Sequence, residues 1–125
     1  ELREMSFGDW EGLTLTQLQS NYKEQFDNFE KDPLNFENKG GENFKSLVKR
    51  VSIGLKKIIQ MGFENSLIVS QGITVKAIQT IMENRNLSDI SRLPVITGCS
   101  LIGYEIDGNT VKKFLQDDKY DFIPK

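Results

Sequence analysis

Residues 66–82 decide the fold, and they read SLIVSQGITVKAIQTIM. Leu67, Ile68 and Val69 form a short apolar run between two serines, which is typical of a strand buried on both faces of a sheet. A tight turn at Gln71 and Gly72 follows. After it, apolar residues and a threonine recur at helical spacing (Thr74, Ala77, Ile78, Ile81, Met82). The succession of strand, glycine turn and helix predicts an α/β fold with a mainly parallel sheet.

The flanking sequence predicts two more helices and a hairpin. Thr14 and Gln17 have the spacing of a capping box, and the apolar residues that follow predict a helix over 15–30. An apolar stripe over 44–59 predicts a long amphipathic helix that ends in a left-handed cap at Gly62. Two strand-like runs, 101–106 and 111–115, flank a four-residue turn and predict a β-hairpin.

The amino-acid composition of the chain argues against several classes of function. The chain has 125 residues, which predicts one domain, and its 16 basic and 18 acidic residues give a net charge of −2. Without a basic surplus, binding to nucleic acid through its phosphates is not expected. No apolar run reaches the 18 residues of a membrane span, and a single cysteine, Cys99, suits a reducing cytoplasm. The chain contains no histidine, which excludes Cys/His zinc sites and serine or cysteine triads within it.

Three short stretches hold the candidate functional residues, and each also has an ordinary structural explanation. Glu4 precedes a glycine-rich turn, although a single carboxylate is usually a solvated surface group. Glu42 begins the long helix, where a carboxylate interacts favourably with the helix dipole. Gly72 follows a predicted parallel strand, where open α/β sheets bind ligands, but every β–α turn has this pattern.

Taken together, these stretches resemble motifs of the histidine phosphatase superfamily, the phosphoglycerate mutase-like proteins. Residues 2–12, LREMSFGDWEG, are similar to its L-x-E-x-x-x-G-x-W-E-G motif, and residues 40–43, GGEN, are similar to its G-E-S segment. Residues 67–77 resemble its V-S-H-G-x-x-I/L-R-A motif, with Gln71 at the position of the histidine. The order and spacing of the three motifs cover nearly the whole chain.

The resemblance implies a three-layer α/β/α sandwich with a mostly parallel sheet, of which residues 1–125 are the carboxyl-terminal portion, without the amino-terminal strands. It implies a cytoplasmic protein that acts on a small phosphorylated metabolite through a phosphohistidine, with no metal and no cofactor. Glu4 matches the proton donor, and Gln71 occupies the position of the second catalytic histidine. Gln71 and Gly72 match phosphate-binding groups, and Glu42 and Asn43 are substrate-pocket candidates.

Two departures from the family pattern predict that the chain by itself is inactive. The family's nucleophilic histidine belongs to an Arg-His-Gly segment that would precede Glu1, and Gln71 can donate a hydrogen bond but carries no charge. Selectivity is expected to depend on residues 35–39 at the pocket mouth. The alternative is a catalytically dead binding or interaction module on the same scaffold. In either case the missing amino-terminal segment, or a second copy of the chain, is the expected partner of the strand at 67–70.

Overall fold

The computed structural model describes residues 1–117, which form a mixed α/β structure; residues 118–125 of the predicted domain lie outside the described part. In chain order it contains four α-helices and two strands. They are α1 (Leu15–Asn21), α2 (Lys23–Lys31), α3 (Phe44–Gln60), α4 (Gly72–Met82), β1 (Leu101–Asp107) and β2 (Thr110–Asp117). Short 3-10 helices cover Gly8–Trp10 and Leu87–Arg92.

The predicted helix over 15–30 is two helices. Its capping box is confirmed, since the Gln17 amide donates to Thr14 Oγ1 over 3.3 Å and the Thr14 amide donates to Gln17 Oε1 over 2.8 Å. The break occurs at Tyr22, whose φ of −132° and ψ of 32° lie outside the helical region. It allows α2 to pack Phe26 and Phe29 against Trp10, with ring centroids 6.2 and 5.9 Å apart.

Helix α3 carries much of the core. Its apolar stripe is buried as predicted at Phe44, Leu47, Val51 and Leu55, whereas Ile59, at the end of the predicted stripe, is exposed. Gly62 follows the helix with a φ of +68°, so the left-handed cap is also confirmed. Aromatic rings from the first 44 residues pack beside this stripe and form one aromatic cluster (Trp10, Phe26, Phe29, Phe36, Phe44).

The predicted buried strand at 66–70 is absent from the described residues. Its backbone is assigned to no strand, and Leu67 and Val69 are 80% and 85% exposed. A strand exists only through hydrogen bonds to a neighbour, and among residues 1–117 the only sheet is the β1–β2 hairpin. The mostly parallel sheet of a three-layer sandwich is therefore not seen in the part of the chain that the structure describes. Helix α4, which follows this segment, forms as predicted.

The predicted hairpin is confirmed as an antiparallel pair in which Leu101 faces Asp117 and Asp107 faces Thr110. One polar cluster fastens it to the end of α4: Tyr104 Oη donates to Glu83 Oε1 over 2.7 Å, and Lys113 Nζ lies 2.8 Å from the same oxygen. Burial by itself raises the pKa of Glu83, but the hydrogen bonds from Lys113, Tyr104 and Arg85 outweigh it and lower that pKa to about 2.

None of the helices in residues 1–117 is both long enough and apolar enough to span a membrane.

Candidate functional site

The Glu4 carboxylate lies at the amino terminus of α4. Oε1 accepts a hydrogen bond from the Thr74 amide over 3.0 Å, and Oε2 accepts one from the Ile73 amide over 3.2 Å. Thr74 Oγ1 lies 3.2 Å from Oε1 and 2.7 Å from the Arg3 carbonyl, so its one proton has two acceptors in reach. The first amides of a helix have no partner within the helix, and they favour an anion. The structure therefore brings Glu4 beside the turn at Gln71 and Gly72, although 67 residues separate Glu4 from Gln71 in sequence.

Several polar groups remain available at this end of α4. Oε1 of Glu4 also accepts from the Met5 amide, whereas Oε2 has the single bond from Ile73, so Oε2 is the less occupied oxygen. Within residues 1–117 neither the Gly72 amide nor the Gln71 side chain is hydrogen-bonded, although Gln71 is the residue that precedes α4. These groups are donors that could meet the oxygens of an anion.

Arg50 of α3 fixes the backbone that carries Glu4. Its Nη1 donates to the carbonyl oxygens of Glu1 and Arg3 over 2.6 and 3.1 Å, and its Nη2 donates to the Glu4 carbonyl over 3.3 Å. The same guanidinium binds both carboxylate oxygens of Glu42 at 2.7 Å. Because a bidentate pair of this kind has one geometry, it holds residues 1–4 at a fixed distance from α3.

Glu42 is therefore occupied by contacts within the protein. Besides Arg50, its Oε2 accepts from the Ser6 amide over 3.0 Å, and its own amide donates to the Ser6 carbonyl over 2.8 Å. The hydrogen bond from Arg50 holds the pKa of Glu42 below its ordinary value, against the smaller effect of burial. Asn43 caps α3, where its Oδ1 accepts from the Ser46 amide over 2.9 Å.

Two glycines allow the chain to pass close to this segment. Gly8 has a φ of +48°, and a Cβ there would lie less than 3.0 Å from backbone atoms of Lys39 and Gly41. Gly41 is equally confined, since its own Cβ would lie less than 3.0 Å from the Ser6 carbonyl and the Gly8 amide. The residues after Glu4 therefore pack closely against the loop before α3. A side chain at Gly8 or at Gly41 would prevent this close contact.

A cavity of about 520 Å³ opens beside Glu4. Helix α4 contributes Gly72, Ile73 and Lys76, and the remaining lining residues come from α2, α3 and residues 90–96 (Phe29, Glu30, Phe44, Ile90, Ser91, Val95, Ile96). Desolvation lowers the pKa of Lys76 below its ordinary value. Its ammonium makes no ion pair or hydrogen bond with any residue in the described range 1–117.

Lys76 is the residue that the sequence analysis missed. Its signal was its position, four residues after Gly72, because residues i and i+4 lie on the same face of a helix. Of the predicted residues, the structure brings together Glu4, Gly72 and the backbone of Gln71. Glu42, Asn43 and the Gln71 side chain do not line this cavity. Their roles in catalysis and substrate binding remain predictions.

Residues 35–39, expected at the pocket mouth, lie elsewhere. Glu37, Asn38 and Lys39 line a second cavity of about 400 Å³, together with Trp10 and Tyr22. Phe29 lines the cavity beside Glu4, and its ring is packed against that of Trp10, so the aromatic cluster stands between the two cavities. This loop therefore does not line the cavity beside Glu4, because its distance from Glu4 depends on side-chain packing that the sequence does not state. Its role in selectivity stays a prediction.

Comparison with known proteins gives consistent matches. The sequence profile of the histidine phosphatase superfamily (branch 1) matches residues 1–117. The chain is 26% identical over 100 residues to 6-phosphofructo-2-kinase 1 of Saccharomyces cerevisiae. The aligned residues cover 78% of this chain and 12% of that protein. It is 30% identical over 89 residues to putative phosphoserine phosphatase 2 of Hydrogenobacter thermophilus. That alignment covers 71% of this chain and 44% of the relative.

A solved structure also has this fold. Bacillus stearothermophilus YhfR matches with a TM-score of 0.82 and 25% sequence identity, over 90% of this chain and 56% of that one. The described residues therefore correspond to about half of the solved protein and to less than half of both relatives.

Proposed function

This chain belongs to the histidine phosphatase superfamily, and on that premise we propose that it forms the proton-donating half of a site that transfers phosphoryl groups from small phosphate esters. The observation that carries the proposal is the position of Glu4, whose carboxylate is fixed on the amides of Ile73 and Thr74 and borders a cavity. A phosphatase-named relative supports the same reaction class.

In the proposed reaction a histidine nitrogen supplied by another polypeptide segment attacks phosphorus. The N–P bond forms while the ester P–O bond breaks, and the leaving oxygen takes a proton from Glu4. The less occupied Oε2 of Glu4 is the atom suited to hold that proton. The Gly72 amide and the Gln71 side-chain amide are free to donate to phosphoryl oxygens, which become more negative as the transfer proceeds.

Glutamine at position 71 weakens this site. Its amide can donate hydrogen bonds but brings no positive charge, and the loss of one charged transition-state donor costs about 10²–10³ in rate. With the nucleophile supplied from outside the chain, we propose that residues 1–125 by themselves release no phosphate from p-nitrophenyl phosphate and form no phosphohistidine. Acid-labile phosphate on the purified chain would contradict this. The protein's location in the cytoplasm is part of the same proposal.

The partner that we propose is a polypeptide strand beside residues 66–70. The backbone of this segment makes no hydrogen bond within residues 1–117, and two of its apolar side chains face solvent. Unpaired backbone of this kind recruits another strand. A preceding segment or a second copy of the chain would complete a parallel sheet here. Only a segment that contains a histidine would also bring a nucleophile toward Gln71, because this chain contains none.

Inorganic phosphate tests the proposed site directly in this chain. We expect phosphate to shift the amide resonance of Gly72 in an ¹H–¹⁵N NMR titration, and Glu4→Gln to tighten binding because it removes a negative charge beside the ligand. Gly108, in the hairpin turn, is the matched control and should not shift. Equal shifts at Gly72 and Gly108, or none at Gly72, would refute the phosphate site.

A second experiment separates the enzyme from the alternative, a catalytically dead binding module. In the protein that carries an Arg-His-Gly segment, Gln71→His should raise phosphatase turnover by about 10²–10³, the effect of one transition-state donor. No turnover with either residue, together with retained phosphate binding, would favour the binding module.

A further inference from the structure

The second cavity, of about 400 Å³, is lined by side chains that all carry a polar atom. Two of them are aromatic, two are amides and three are charged (Asp9, Trp10, Tyr22, Gln25, Glu37, Asn38, Lys39). The volume falls within the range of about 300–1,000 Å³ that is usual for small-molecule sites. The aromatic cluster separates this cavity from Glu4, and the proposed reaction makes no use of it.

The two amide side chains of the second cavity are each fixed by one hydrogen bond and keep their other end free. Gln25 Oε1 accepts from the main-chain amide of Glu37 over 2.8 Å, so its Nε2 is left as a donor. Asn38 Nδ2 donates to the Phe7 carbonyl, so its Oδ1 is left as an acceptor. Neither remaining atom has a hydrogen-bond partner within residues 1–117. The cavity therefore offers one oriented amide donor and one oriented amide acceptor.

Trp10 and Asp9 add a second donor and a second acceptor. Trp10 is 5% exposed, and its Nε1 donates to no residue in the described range. Gln79 Oε1 is the one fully buried side-chain N or O atom without a partner in that range, so Trp10 Nε1 lies on the exposed edge of the indole. The Asp9 carboxylate has no ion pair or hydrogen bond within residues 1–117, while its main-chain amide is fixed on the Lys39 carbonyl over 3.0 Å.

Charges of both signs line the second cavity without pairing with each other. Asp9 and Glu37 are acidic and Lys39 is basic, and no salt bridge joins them among the described residues. A cation in this cavity would meet the uncommitted donors of Trp10 and Gln25, and an anion would meet the two carboxylates. A neutral hydroxyl group both donates and accepts, so it can use a donor and an acceptor at once.

From these observations we infer that the second cavity binds a small, neutral polyhydroxylated molecule, such as a monosaccharide or a cyclic polyol. Its hydroxyls accept hydrogen bonds from Gln25 Nε2 and Trp10 Nε1. They donate to Asn38 Oδ1 and to the Asp9 carboxylate. Tyr22, which is 36% exposed, offers a ring against which the C–H groups of the ligand pack. Because the two amides are already oriented, little conformational entropy is lost on binding.

NMR and fluorescence of the full chain test the inference. The chain has one tryptophan, so its spectrum contains a single indole N–H resonance, that of Trp10. The polyhydroxylated probes are glucose, galactose, ribose and myo-inositol, and the charged probes are tetramethylammonium, glycine and sulfate. We expect at least one polyhydroxylated probe to shift the indole resonance saturably, with a millimolar Kd, and to quench the fluorescence of Trp10. The charged probes should do neither.

Two variants each remove one contact to the ligand. Gln25→Met fills the same space without a donor, and Asp9→Ala removes a carboxylate that binds no other described residue. Each should weaken the polyhydroxylated probe at least about fivefold, because a hydrogen bond is lost while its partner stays desolvated. Gln60→Met, at the last residue of α3, and Asp27→Ala, on the surface of α2, are the matched controls and should leave binding unchanged.

Three results would overturn the inference. They are no shift of the indole resonance with any polyhydroxylated probe, a larger shift with a charged probe, and equal binding by the variants and their controls. Failure here is distinguishable from failure of the proposed function, because this site is measured at Trp10 and phosphate binding is measured at Gly72.

Discussion

Replacement of Arg50 by methionine should destabilise the chain and loosen the segment that carries Glu4. The guanidinium makes two 2.7 Å hydrogen bonds to the Glu42 carboxylate and three more to the carbonyl oxygens of Glu1, Arg3 and Glu4. Methionine fills much of the same space but donates none of these bonds. The carboxylate would then remain half-enclosed without its counter-charge.

The expected loss is about 3 kcal/mol in the free energy of unfolding at pH 7. Removal of one partner from a buried ion pair costs about 3–5 kcal/mol, and the lower end applies because the two side chains keep 14% and 16% of their exposure. Arg50→Lys should lose about half as much, since an ammonium keeps the charge but cannot bind both carboxylate oxygens in the same geometry.

Urea unfolding followed by circular dichroism measures these differences. Arg92→Met is the matched control, because Arg92 is 82% exposed and pairs with a single carboxylate, so its loss should stay within about 0.5 kcal/mol. A second measurement is hydrogen exchange at Ile73 and Thr74. Their amides donate to Glu4 and should exchange faster in Arg50→Met but not in the control.

The sign of the pH dependence gives a sharper test. Arg50 lowers the pKa of Glu42 below its ordinary 4.5, so the pair stabilises the fold above that pH and loses its effect as Glu42 is protonated. The penalty of Arg50→Met should therefore shrink as the pH falls below 4.5. A penalty no larger than that of Arg92→Met at pH 7, or one that grows on acidification, would refute the role assigned to this pair.

Three further predictions concern other parts of the chain. The pKa of Glu83 is about 2, against an ordinary 4.5, so its carboxylate should stabilise the fold by about 3 kcal/mol above pH 4.5. This stabilisation should be lost as the pH falls toward 2. An equal cost of Glu83→Gln at pH 7 and at pH 2 in urea titrations would contradict the prediction. Gly8→Ala should cost more than about 3 kcal/mol, since strain and backbone overlap add, whereas Gly12→Ala, with φ +83° and open space, should cost about 1 kcal/mol in the same titration. Light scattering should show association at micromolar concentration, reduced by Val69→Lys; a monomer at every concentration would exclude strand pairing through 66–70.

The fold was predictable where the determining contacts are close in sequence. The capping box at Thr14 joins residues three apart, and the hairpin is set by its turn, so both could be read from the residues themselves. The break at Tyr22 could not, because the apolar spacing fits one helix or two. The strand at 66–70 failed for a different reason: pairing needs a neighbouring strand, and none of the other described residues provides one.

The candidate site was likewise predictable in part only. The position of Glu4 near Gly72 followed from motif resemblance, since 68 residues separate the two in sequence. The apolar walls of the cavity beside Glu4 were not predictable, because they arise where α2 packs against the short helix at Leu87–Arg92, through contacts such as that of Ser91 with Phe29. The contact of Glu42 with Arg50, eight residues later, could not be read from the sequence, and the role of Glu42 in substrate binding stays a prediction.

The aromatic cluster also makes the protein its own fluorescent reporter. Trp10 is the only tryptophan in the 125 residues, and its indole is 5% exposed between rings such as Phe36, 5.2 Å away, and Tyr22, 6.2 Å away. Its emission should be blue-shifted in the folded chain, with energy transfer from Tyr22, and should move to longer wavelength on unfolding. Because Trp10 lines the second cavity and is separated from the cavity beside Glu4 by other rings such as Phe29, a ligand in the second cavity should quench it directly. A ligand beside Glu4 should leave its intensity nearly unchanged.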